Sequence, residues 1–266
     1  MSFLDDLTGQ TVLITGASSG IGSAYAEAFA ARKADLVLVA RRGDAMRKLA
    51  GTLSARHGIK AAVVELDLTE PDAGKKLQAA HPEIDGLINN AGFGSYGTVA
   101  EQDTQDPERS LDEIQLNCST VVDLTQTYLP GMLQRNRGFI VNIASVAAFQ
   151  PLPRMAVYGA SKAFVVAFTQ ALWKELEGTG VRALVVCPGA TDTEFFAQSG
   201  SLDAFSGSNQ RSVEDVIRTT FRALKRRRHT VVDGLANKAG AMLSSRLPRR
   251  WILPITEKLT RGTAAR

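Results

Sequence analysis

The 266-residue chain contains only two cysteines, Cys118 and Cys187, and three histidines. The two cysteines are far apart in the sequence and no histidine stands at ligand spacing from them, so we expect neither a disulfide framework nor a metal site. No apolar run reaches the ~18 residues that a transmembrane helix needs, and Asp5 and Asp6 stand where an export signal would carry basic residues. These absences predict a cytoplasmic protein.

The positive charge of the chain is unevenly distributed. The net charge is +4, but residues 221–266 contain twelve Lys or Arg and only two acids, Asp233 and Glu257. No recognition motif and no interleaved aromatic residues accompany these cations, so nucleic acid is not an expected partner. A 44% hydrophobic composition can form a sizeable core, and no linker or repeat divides the chain. We expect one domain over residues 1–236, with a basic C-terminal extension of the same domain over 237–266.

Short runs rich in Val, Ile and Leu alternate with helical patterns along the chain. Such alternation is typical of βαβ units, and continuously apolar strands are expected in a parallel sheet that helices cover on both faces. The predicted strands are Thr11–Thr15, Leu36–Ala40, Ala61–Leu66, Ile84–Ile88, Phe139–Ile143, Arg182–Val186 and Thr230–Val232. The sequence thus predicts an α/β fold with a Rossmann-type, doubly wound parallel sheet of about seven strands, in which ligands bind beyond the carboxyl ends of the strands.

A glycine-rich segment follows the first predicted strand. The segment Thr15-Gly16-Ala17-Ser18-Ser19-Gly20-Ile21-Gly22 leads into an alanine-rich helical pattern. The N–H groups at a helix N-terminus bind anions, and glycines let the backbone approach a pyrophosphate closely. No Lys-Ser or Lys-Thr pair follows, which argues against a nucleotide-hydrolysing phosphate loop. The segment therefore predicts a dinucleotide site, although a simple tight turn is the alternative.

The residues after the second strand indicate which dinucleotide is bound. Folds that bind NAD place a carboxylate about 20 residues after the glycines, whereas folds that bind NADP place arginine there for a 2′-phosphate. Ala40 occupies the carboxylate position, and Arg41 and Arg42 follow it. The sequence therefore favours NADP over NAD; alternatively, the two arginines belong to the solvated start of a helix. Asp67 and Asn90 end the third and fourth strands and are expected to line the same cleft.

Tyr158 and Lys162 lie four residues apart at the start of a helical pattern that runs to about Glu177. Residues at this spacing share a helix face, and an ammonium group about 4 Å from a phenol, aided by the positive nicotinamide of a bound cofactor, is expected to lower the phenol pKa from ~10 to near neutrality. Such a phenol can act as a general acid or base. Ser145 ends the preceding strand, where its hydroxyl can hold a substrate oxygen. The alternatives are surface neighbours for the first pair and a strand-terminating serine for Ser145.

Together these motifs resemble those of the short-chain dehydrogenase/reductase family, in its shorter single-domain branch. The resemblance covers approximately residues 8–235. The matching motifs are the glycine segment, Asp67, Asn89-Asn90-Ala91-Gly92, Asn117, Ser145, Tyr158 with Lys162, and Pro188-Gly189. The resemblance implies that Tyr158 exchanges the proton, Lys162 lowers the pKa of Tyr158 and Ser145 orients the carbonyl. It also implies that Asn117 distorts its helix so that a water molecule can join a proton relay to Lys162.

The resemblance further implies a set of cofactor-binding residues. They are Gly16, Ser18, Ser19, Gly20, Ile21, Gly22, Arg41, Arg42, Asp67, Leu68, Asn90, Ala91, Gly92, Tyr158, Lys162, Pro188, Gly189, Thr191 and Thr193. Arg41 corresponds to the basic residue that selects NADP, and Thr191 or Thr193 is expected to bind the nicotinamide amide or the pyrophosphate. Relatives usually associate through the helices after the fourth and fifth strands, so we expect a homodimer or homotetramer.

The expected activity is hydride transfer between NADPH and a small carbonyl compound, that is, a carbonyl reductase or alcohol dehydrogenase. The substrate is a ketone or aldehyde, with 3-ketoacyl and other hydrophobic compounds among the options. The alternatives are an NAD-dependent alcohol or polyol dehydrogenase and a non-catalytic NADPH-sensing protein. Five aromatic residues near the expected cleft, which either line it or pack within their own loops, are Phe93, Tyr96, Phe195, Phe196 and Phe205.

The C-terminal extension mixes arginines with apolar residues. Three interpretations are open: a substrate lid, a subunit contact, and a basic segment that touches acidic lipid head groups. Pro248 and Pro254 are expected to interrupt any long helix, which favours the first two interpretations. The basic run from Lys225 to His229 is expected to be a solvated helix end.

Overall fold

The computed structural model describes residues 4–191 and 211–261. These residues form seven parallel strands in one sheet. The strands are β1 Thr11–Thr15, β2 Asp35–Ala40, β3 Ala61–Glu65, β4 Gly86–Asn89, β5 Gly138–Ile143, β6 Val181–Cys187 and β7 Thr230–Val232. Their order is β3-β2-β1-β4-β5-β6-β7, so the chain reverses direction across the sheet between β1 and β4. The predicted doubly wound sheet is confirmed, and a ligand is expected where the order reverses.

Helices connect the strands and cover both faces of the sheet. Those that the structure describes are α1 Gly20–Ala30, α2 Gly43–His57, α3 Ala73–Ala80, α4 Val99–Gln105, α5 Arg109–Ile114, α6 Thr120–Gln134, α7 Ala156–Glu175, α8 Val213–Lys225, α9 Leu235–Arg246 and α10 Arg249–Arg261. A π-helical turn at Gln115–Ser119 joins α5 to α6, and a 3-10 turn spans Val146–Phe149.

The hydrophobic core lies in two layers, one on each face of the sheet. Val12 packs into one layer with Phe29 and Phe139, whereas the next residue, Leu13, packs into the other with Leu77. Successive side chains of a strand point to opposite faces, so a strand that is buried on both faces must be apolar throughout. The rings of Phe29 and Phe139 stack with their centroids 5.6 Å apart. This double burial is the physical reason for the continuous apolar runs in the sequence.

Two buried asparagines lie opposite each other within the sheet. Asn89 of β4 is in register with Asn142 of β5, and both side chains are buried. The Nδ2 atom of Asn89 donates to Asn142 Oδ1 at 2.9 Å, and Asn142 Nδ2 donates to Thr169 Oγ1 of α7 at 2.8 Å. Asn90 and Ser145 follow shortly after these strands end. The amide pair therefore aligns the two strands that lead into the expected site.

The C-terminal extension is helical on both sides of Pro248. This proline separates α9 from α10 as expected, but Pro254 lies inside α10. The prediction that Pro254 interrupts the helix is wrong. The helix buries Ile252, Thr256 and Thr260 on its inner side while Pro254 is exposed, so the carbonyl that lacks an N–H partner faces solvent. Within the described residues, no helix combines the length and apolar character that crossing a bilayer requires.

Other local predictions have mixed outcomes. The helix predicted from Tyr158 onward is α7, and the basic run after α8 is exposed as expected. Both cysteines are free thiols, of which Cys187 is buried and Cys118 is partly exposed. Cys118 lies in the π-helical turn.

Candidate active site

The glycine-rich loop lies between the end of β1 and the start of α1. Gly16 and Gly20 have φ angles of +64° and +58°, which residues with a Cβ rarely adopt. A Cβ on Gly22 would lie 2.2 Å from the Gly16 carbonyl oxygen and 2.7 Å from Asn90 Nδ2. The side chain of Ser19, the N-cap residue, makes no capping hydrogen bond to α1 within the described residues. The loop thus combines close backbone packing with an uncapped helix start, which suits an anion.

Asn90 joins the glycine loop to the end of β4. Its Nδ2 atom donates to the carbonyl oxygens of Thr15 and Gly16 at 3.0 and 3.2 Å. In return, Thr15 Oγ1 accepts from the backbone N–H groups of Asn90 and Ala91 at 3.0 and 2.9 Å. These bonds hold the two strand ends together, so Asn90 supports the loop at the back while it also lines the cleft.

The two arginines after β2 lie at one end of the cleft. Arg42 Nη2 lies 3.5 Å from Ser18 Oγ and 3.4 Å from Ser19 Oγ, so its guanidinium reaches the glycine loop. Arg41 Nη1 lies 4.0 Å from Asp67 Oδ2, and the Arg41 side chain is 74% exposed. A guanidinium group binds phosphate oxygens in a bidentate manner. Arg42 is therefore at least as well placed as Arg41, which the resemblance singles out.

A cleft of about 770 Å³ extends along the carboxyl ends of the strands. It brings together most of the sequence-predicted site residues. Those that line it are Gly16, Ser18, Ser19, Gly20, Ile21, Arg41, Arg42, Asp67, Leu68, Asn90, Ala91, Gly92, Ser145, Tyr158, Lys162, Pro188, Gly189 and Thr191. Gly22 and Asn117 lie behind this wall and contact residues that form it. Thr193 lies outside the described residues.

Ser145, Tyr158 and Lys162 meet at the other end of the cleft. Ser145 follows β5, and its Oγ accepts from the backbone N–H of Ala147 at 3.1 Å, which caps the 3-10 turn. The hydroxyl groups of Ser145 and Tyr158 share a hydrogen bond. Lys162 lies one helical turn after Tyr158, and its Nζ donates to the carbonyl oxygen of Ile143 at 3.0 Å. Two hydroxyl groups and one ammonium group therefore converge where β5 ends.

Burial dominates the protonation of Tyr158 and Lys162. It raises the pKa of Tyr158 to about 12, and the hydrogen bond with Ser145 lowers that pKa only in part. Burial also lowers the pKa of Lys162 to about 8. This value belongs to the chain without cofactor, whereas the predicted near-neutral pKa of Tyr158 includes the positive charge of the nicotinamide and stays a prediction. The Lys162 Nζ lies 5.7 Å from the centroid of the phenol ring, and desolvation of the phenolate has the largest effect on the Tyr158 pKa.

Asn117 lies in the π-helical turn between α5 and α6, so the helix is distorted where the resemblance implies. Its buried side chain donates to the Phe93 carbonyl oxygen at 2.9 Å and to Ser161 Oγ at 3.0 Å. Its Oδ1 atom accepts from the Phe93 N–H at 3.2 Å. The side chain thus fastens the loop after β4 to α7. A part for Asn117 in a proton relay to Lys162 stays a prediction.

Glu113 is a buried acid that the sequence reasoning missed. Its side chain is fully buried, and its Oε2 accepts from the Ser95 N–H at 2.9 Å. Its Oε1 has no hydrogen-bond partner among the described residues. Burial raises the pKa of Glu113 to about 7, and the nearby charge of Lys162 lowers it only in part. The available signal was its position four residues before Asn117, which places both side chains on one helix face.

The wall near Tyr158 is largely apolar. Leu152 and Met155 cluster with Tyr158, and Phe93 and Val146 also line the cleft. Polar side chains line the same cleft, namely Asp106, Arg109, Asp112 and Gln150. The loop after β4 packs directly on the phenol, since a Cβ on Gly94 would lie 3.0 Å from the Tyr158 ring. A cleft with such a wall favours an apolar group beside the reacting atoms.

The sequence left open whether five aromatic residues line the cleft or pack within their own loops. Phe93 lines the cleft, and Tyr96 packs against its rim. Tyr96 contacts the cluster that contains Leu152 and donates from its hydroxyl to the Thr260 carbonyl oxygen of α10 at 2.5 Å. Gln150 also lines the cleft, and its Oε1 accepts from Ser244 Oγ of α9 at 2.8 Å. The C-terminal helices therefore support the rim of the cleft. Phe195, Phe196 and Phe205 lie outside the described residues.

A family model described as short chain dehydrogenase matches residues 10–203. Glycine betaine reductase ATRR of Emericella nidulans is 35% identical over 237 residues, which are 85% of this chain but 18% of that protein. Ketoacyl reductase HetN of a Nostoc species is 40% identical over 191 residues, 69% of this chain and 64% of that protein. Serine 3-dehydrogenase of Agrobacterium fabrum is 32% identical over 236 residues, 85% of this chain and 92% of that protein. The chain thus spans less than two thirds of two of these relatives.

Solved structures with the same fold carry either nicotinamide cofactor. A short-chain dehydrogenase from Sphingobium yanoikuyae in complex with NADPH has a TM-score of 0.79 and 35% identity, over 90% of this chain and 97% of that one. A short chain dehydrogenase/reductase from Burkholderia phymatum in complex with NAD has a TM-score of 0.80 and 27% identity, over 95% of this chain and 96% of that one.

Proposed function

Because the chain belongs to the short-chain dehydrogenase family, we propose that it is an NADPH-dependent reductase of apolar ketones or aldehydes, with Tyr158 as the proton donor. The observation that carries the proposal is the convergence of Ser145, Tyr158 and Lys162 in a cleft whose other end holds the arginine-flanked glycine loop. The anion site at one end of the cleft suits the phosphates of a reducing dinucleotide. The proton donor at the other end suits a substrate that lies beside the nicotinamide.

The residues of the cleft fit NADPH. The close packing of Gly22 on the Gly16 backbone, which a Cβ would prevent, and the uncapped start of α1 suit a pyrophosphate beside the loop. Arg41 and Arg42 suit the 2′-phosphate, and Ala40 offers no carboxylate that would repel it. When bound, the cofactor supplies the hydride. Asp67, Leu68 and the segment from Asn90 to Gly92 would border its adenosine half, and Pro188, Gly189 and Thr191 its nicotinamide half.

The side chains near Tyr158 can deliver a proton to a carbonyl oxygen. Ser145 and Tyr158 share a hydrogen bond, so an oxygen placed beside one hydroxyl is within reach of both. With a pKa of about 12, Tyr158 keeps its proton at neutral pH, which is the state that reduction requires. As that proton leaves, the ammonium of Lys162, fixed by the Ile143 carbonyl, stabilises the phenolate. Ser145 orients the carbonyl, and Tyr158 protonates it.

An apolar substrate follows from the wall around Tyr158. Phe93, Val146, Leu152 and Met155 offer no charge or hydrogen-bond donor from their side chains. Charged compounds such as glycine betaine and serine, which give two relatives their names, would lose hydration against these four side chains. Polar groups of a substrate can still find partners, because Arg109 and Gln150 also line the cleft and the Arg109 guanidinium lies 5.2 Å from the centroid of the Phe93 ring. A ketone or aldehyde with an apolar substituent, including a 3-ketoacyl compound, is the class that this wall accommodates.

The test is NADPH and NADH oxidation by the wild type and Tyr158→Phe, with a panel of apolar ketones, aldehydes and a ketoacyl thioester. Tyr128→Phe is the matched control, because it removes a buried phenol hydroxyl from α6, outside the cleft. We expect NADPH-dependent turnover in the wild type and the control, and a loss of at least about a hundredfold in Tyr158→Phe.

Two outcomes would overturn parts of the proposal. Turnover that prefers NADH would replace it with an NAD-dependent alcohol or polyol dehydrogenase. NADPH binding without turnover of any compound on the panel would favour the non-catalytic sensor instead.

A further inference from the structure

The two C-terminal helices expose a concentration of large apolar side chains. Within the described residues twelve large hydrophobic side chains are exposed, and seven of them belong to α9 and α10. We use the term C-terminal surface for the exposed apolar side chains of these two helices, which are Leu235, Met242, Leu243, Trp251, Leu253, Ile255 and Leu259. Exposed apolar side chains that are concentrated in this way mark an interaction site more often than isolated ones do.

One row of these side chains follows the whole of α10. Trp251, Ile255 and Leu259 recur every four residues, so they lie on one side of the helix, and each is about half exposed. The helix packs on the domain through other residues, of which Ile252 is the largest buried one. Because Pro254 does not interrupt α10, the row is continuous. The interruption at Pro254, which was expected from the sequence and disfavoured a contact with lipid, is therefore absent from α10.

Basic side chains are interleaved with the apolar ones. Glu257 is the single acid between residues 235 and 260, against five exposed bases, which are Lys238, Arg246, Arg249, Arg250 and Lys258. The guanidinium of Arg250 lies 5.7 Å from the centroid of the Trp251 ring. A tryptophan beside an arginine, on a helix with apolar and basic faces, is the composition of helices that lie in a membrane interface.

We propose that the C-terminal surface docks the protein on bilayers that contain anionic lipids. The row of Trp251, Ile255 and Leu259 would enter the boundary between head groups and acyl chains, while Arg250 and Lys258 would contact lipid phosphates. Burial of apolar side chains and attraction to an anionic surface both contribute to such binding, so removal of either should weaken it.

The charge disfavours a second copy of the chain as the occupant. A two-fold interface would place the C-terminal surface against itself, so that five bases of one copy would face the same five of the other. Protein interfaces are also depleted in lysine at their cores, whereas here Lys238 and Lys258 belong to the same two helices as the exposed apolar side chains. An anionic lipid surface can accommodate the apolar side chains in its acyl region and the basic side chains at its phosphates.

Docking in this way would place the rim of the cleft close to the lipid. Tyr96 is bonded to α10 through the Thr260 carbonyl oxygen, and Gln150 to α9 through Ser244. Both rim residues therefore move with the helices that carry the C-terminal surface. The proposal does not depend on the reaction that the cleft catalyses.

The experiment uses the full chain with Trp173→Phe, which leaves Trp251 as its single tryptophan. The protein is titrated with vesicles of phosphatidylcholine and with vesicles of phosphatidylcholine plus phosphatidylglycerol, and binding is followed by Trp251 emission and by co-sedimentation. We expect a blue shift and co-sedimentation with the anionic vesicles, both weakened by high salt. Neutral vesicles should bind much less.

Two pairs of substitutions separate a specific surface from general attraction of a basic protein. Arg250→Gln with Lys258→Gln removes two charges from the C-terminal surface, and should weaken binding to anionic vesicles by about twentyfold, or roughly fivefold per charge. Arg226→Gln with Arg228→Gln removes two exposed charges after α8 and should change it less than about threefold. Trp251→Ser with Ile255→Ser tests the apolar component and should also reduce binding strongly. Circular dichroism confirms that each variant is folded.

Several results would overturn the proposal. Unchanged Trp251 emission with anionic vesicles at low salt would do so, as would equal binding to neutral and anionic vesicles, or equal losses in the two charge variants. A Trp251 blue shift that depends on protein concentration without lipid, together with a larger sedimenting species that Trp251→Ser with Ile255→Ser abolishes, would assign the surface to self-association.

Discussion

Glu113 allows a prediction in which the size of a stability change depends on pH. The side chain is fully buried, and its Oε2 accepts from the Ser95 N–H. Burial raises the pKa of Glu113 from an ordinary value near 4.5 to about 7. The folded protein therefore holds this proton more tightly than the unfolded chain does.

The free energy of unfolding changes with pH in a direction that this shift determines. Below about pH 4.5 Glu113 is protonated in both states and costs nothing. As the pH rises toward 7 the unfolded chain ionises first, so stability falls, and above 7 the full cost is about 3 kcal/mol. Most of this loss, roughly 2 to 3 kcal/mol, develops between pH 5 and pH 8.

Glu113→Gln should remove this pH dependence. The glutamine amide oxygen can still accept from the Ser95 N–H, but it carries no charge at any pH. The difference in the free energy of unfolding, variant minus wild type, should therefore be about 2 to 3 kcal/mol larger at pH 8 than at pH 5, so that the variant gains relative stability as the pH rises. Urea denaturation of both proteins at the two pH values, at constant ionic strength, measures this difference.

The control is Glu175→Gln, which replaces an exposed glutamate of α7. It should change the free energy of unfolding by less than about 0.5 kcal/mol at either pH. If Glu113→Gln shifted stability by the same amount at pH 5 and pH 8, the carboxyl group would titrate normally and the reasoning from burial would be refuted.

Three further predictions concern the glycine loop and the core. Arg42→Ala should weaken NADPH binding about 10- to 100-fold and NADH binding less than about threefold in fluorescence titrations, since it removes the charged hydrogen bond that we propose to the 2′-phosphate. Equal weakening of both would contradict the proposed contact between Arg42 and the 2′-phosphate. Gly22→Ala should abolish binding of either cofactor, because its Cβ would lie 2.2 Å from a backbone oxygen of the loop, whereas Gly51→Ala in α2, with nothing within 4 Å, should bind normally. Tyr25→Phe should lower the free energy of unfolding by about 1 kcal/mol, because it removes the buried 2.7 Å hydrogen bond with Thr220. The same substitution should have much less effect in a protein that already carries Thr220→Val.

The positions of the strands and the chemistry at their ends could be predicted from the sequence. A parallel sheet that is covered on both faces requires continuously apolar strands, so strands such as β1 and β6 stand out as runs of Val, Ile and Leu. The residues that follow them must then lie along one edge of the sheet. This geometry is why Ser145 and the glycine loop, which are far apart in sequence, could be assigned to one cleft.

The protonation of the site could not be predicted from spacing alone. A separation of four residues places Tyr158 and Lys162 on one helix face, but the pKa of each depends on how much water the surrounding elements exclude. The loop that holds Gly94 against the phenol ring comes from a different part of the chain. Glu113 escaped notice for the same reason, because acids on short polar helices are usually solvated, whereas this one is buried and bonded to the Ser95 loop.

Pro254 illustrates a rule that depends on its surroundings. Proline removes one helical hydrogen bond wherever it occurs, but the cost is smaller where water can solvate the unpaired carbonyl group. The buried contacts of Ile252 and Thr256 hold α10 together on the opposite side. The sequence contains the proline, but not the direction in which it faces.

The amide pair between Asn89 and Asn142 has a consequence for misfolded arrangements of the sheet. Apolar strands that are buried on both faces could slide past one another by two residues and still bury apolar side chains. A slip of this kind between β4 and β5 would separate the two amides, so that the Asn89 amide would lie among hydrocarbon groups without the Asn142 oxygen, at a cost of several kcal/mol. The pair therefore acts against wrong alignments more than it stabilises the correct one. Any slipped form would also displace Asn90 relative to Ser145, so the arrangements that would spoil the cleft are the ones that these two asparagines disfavour.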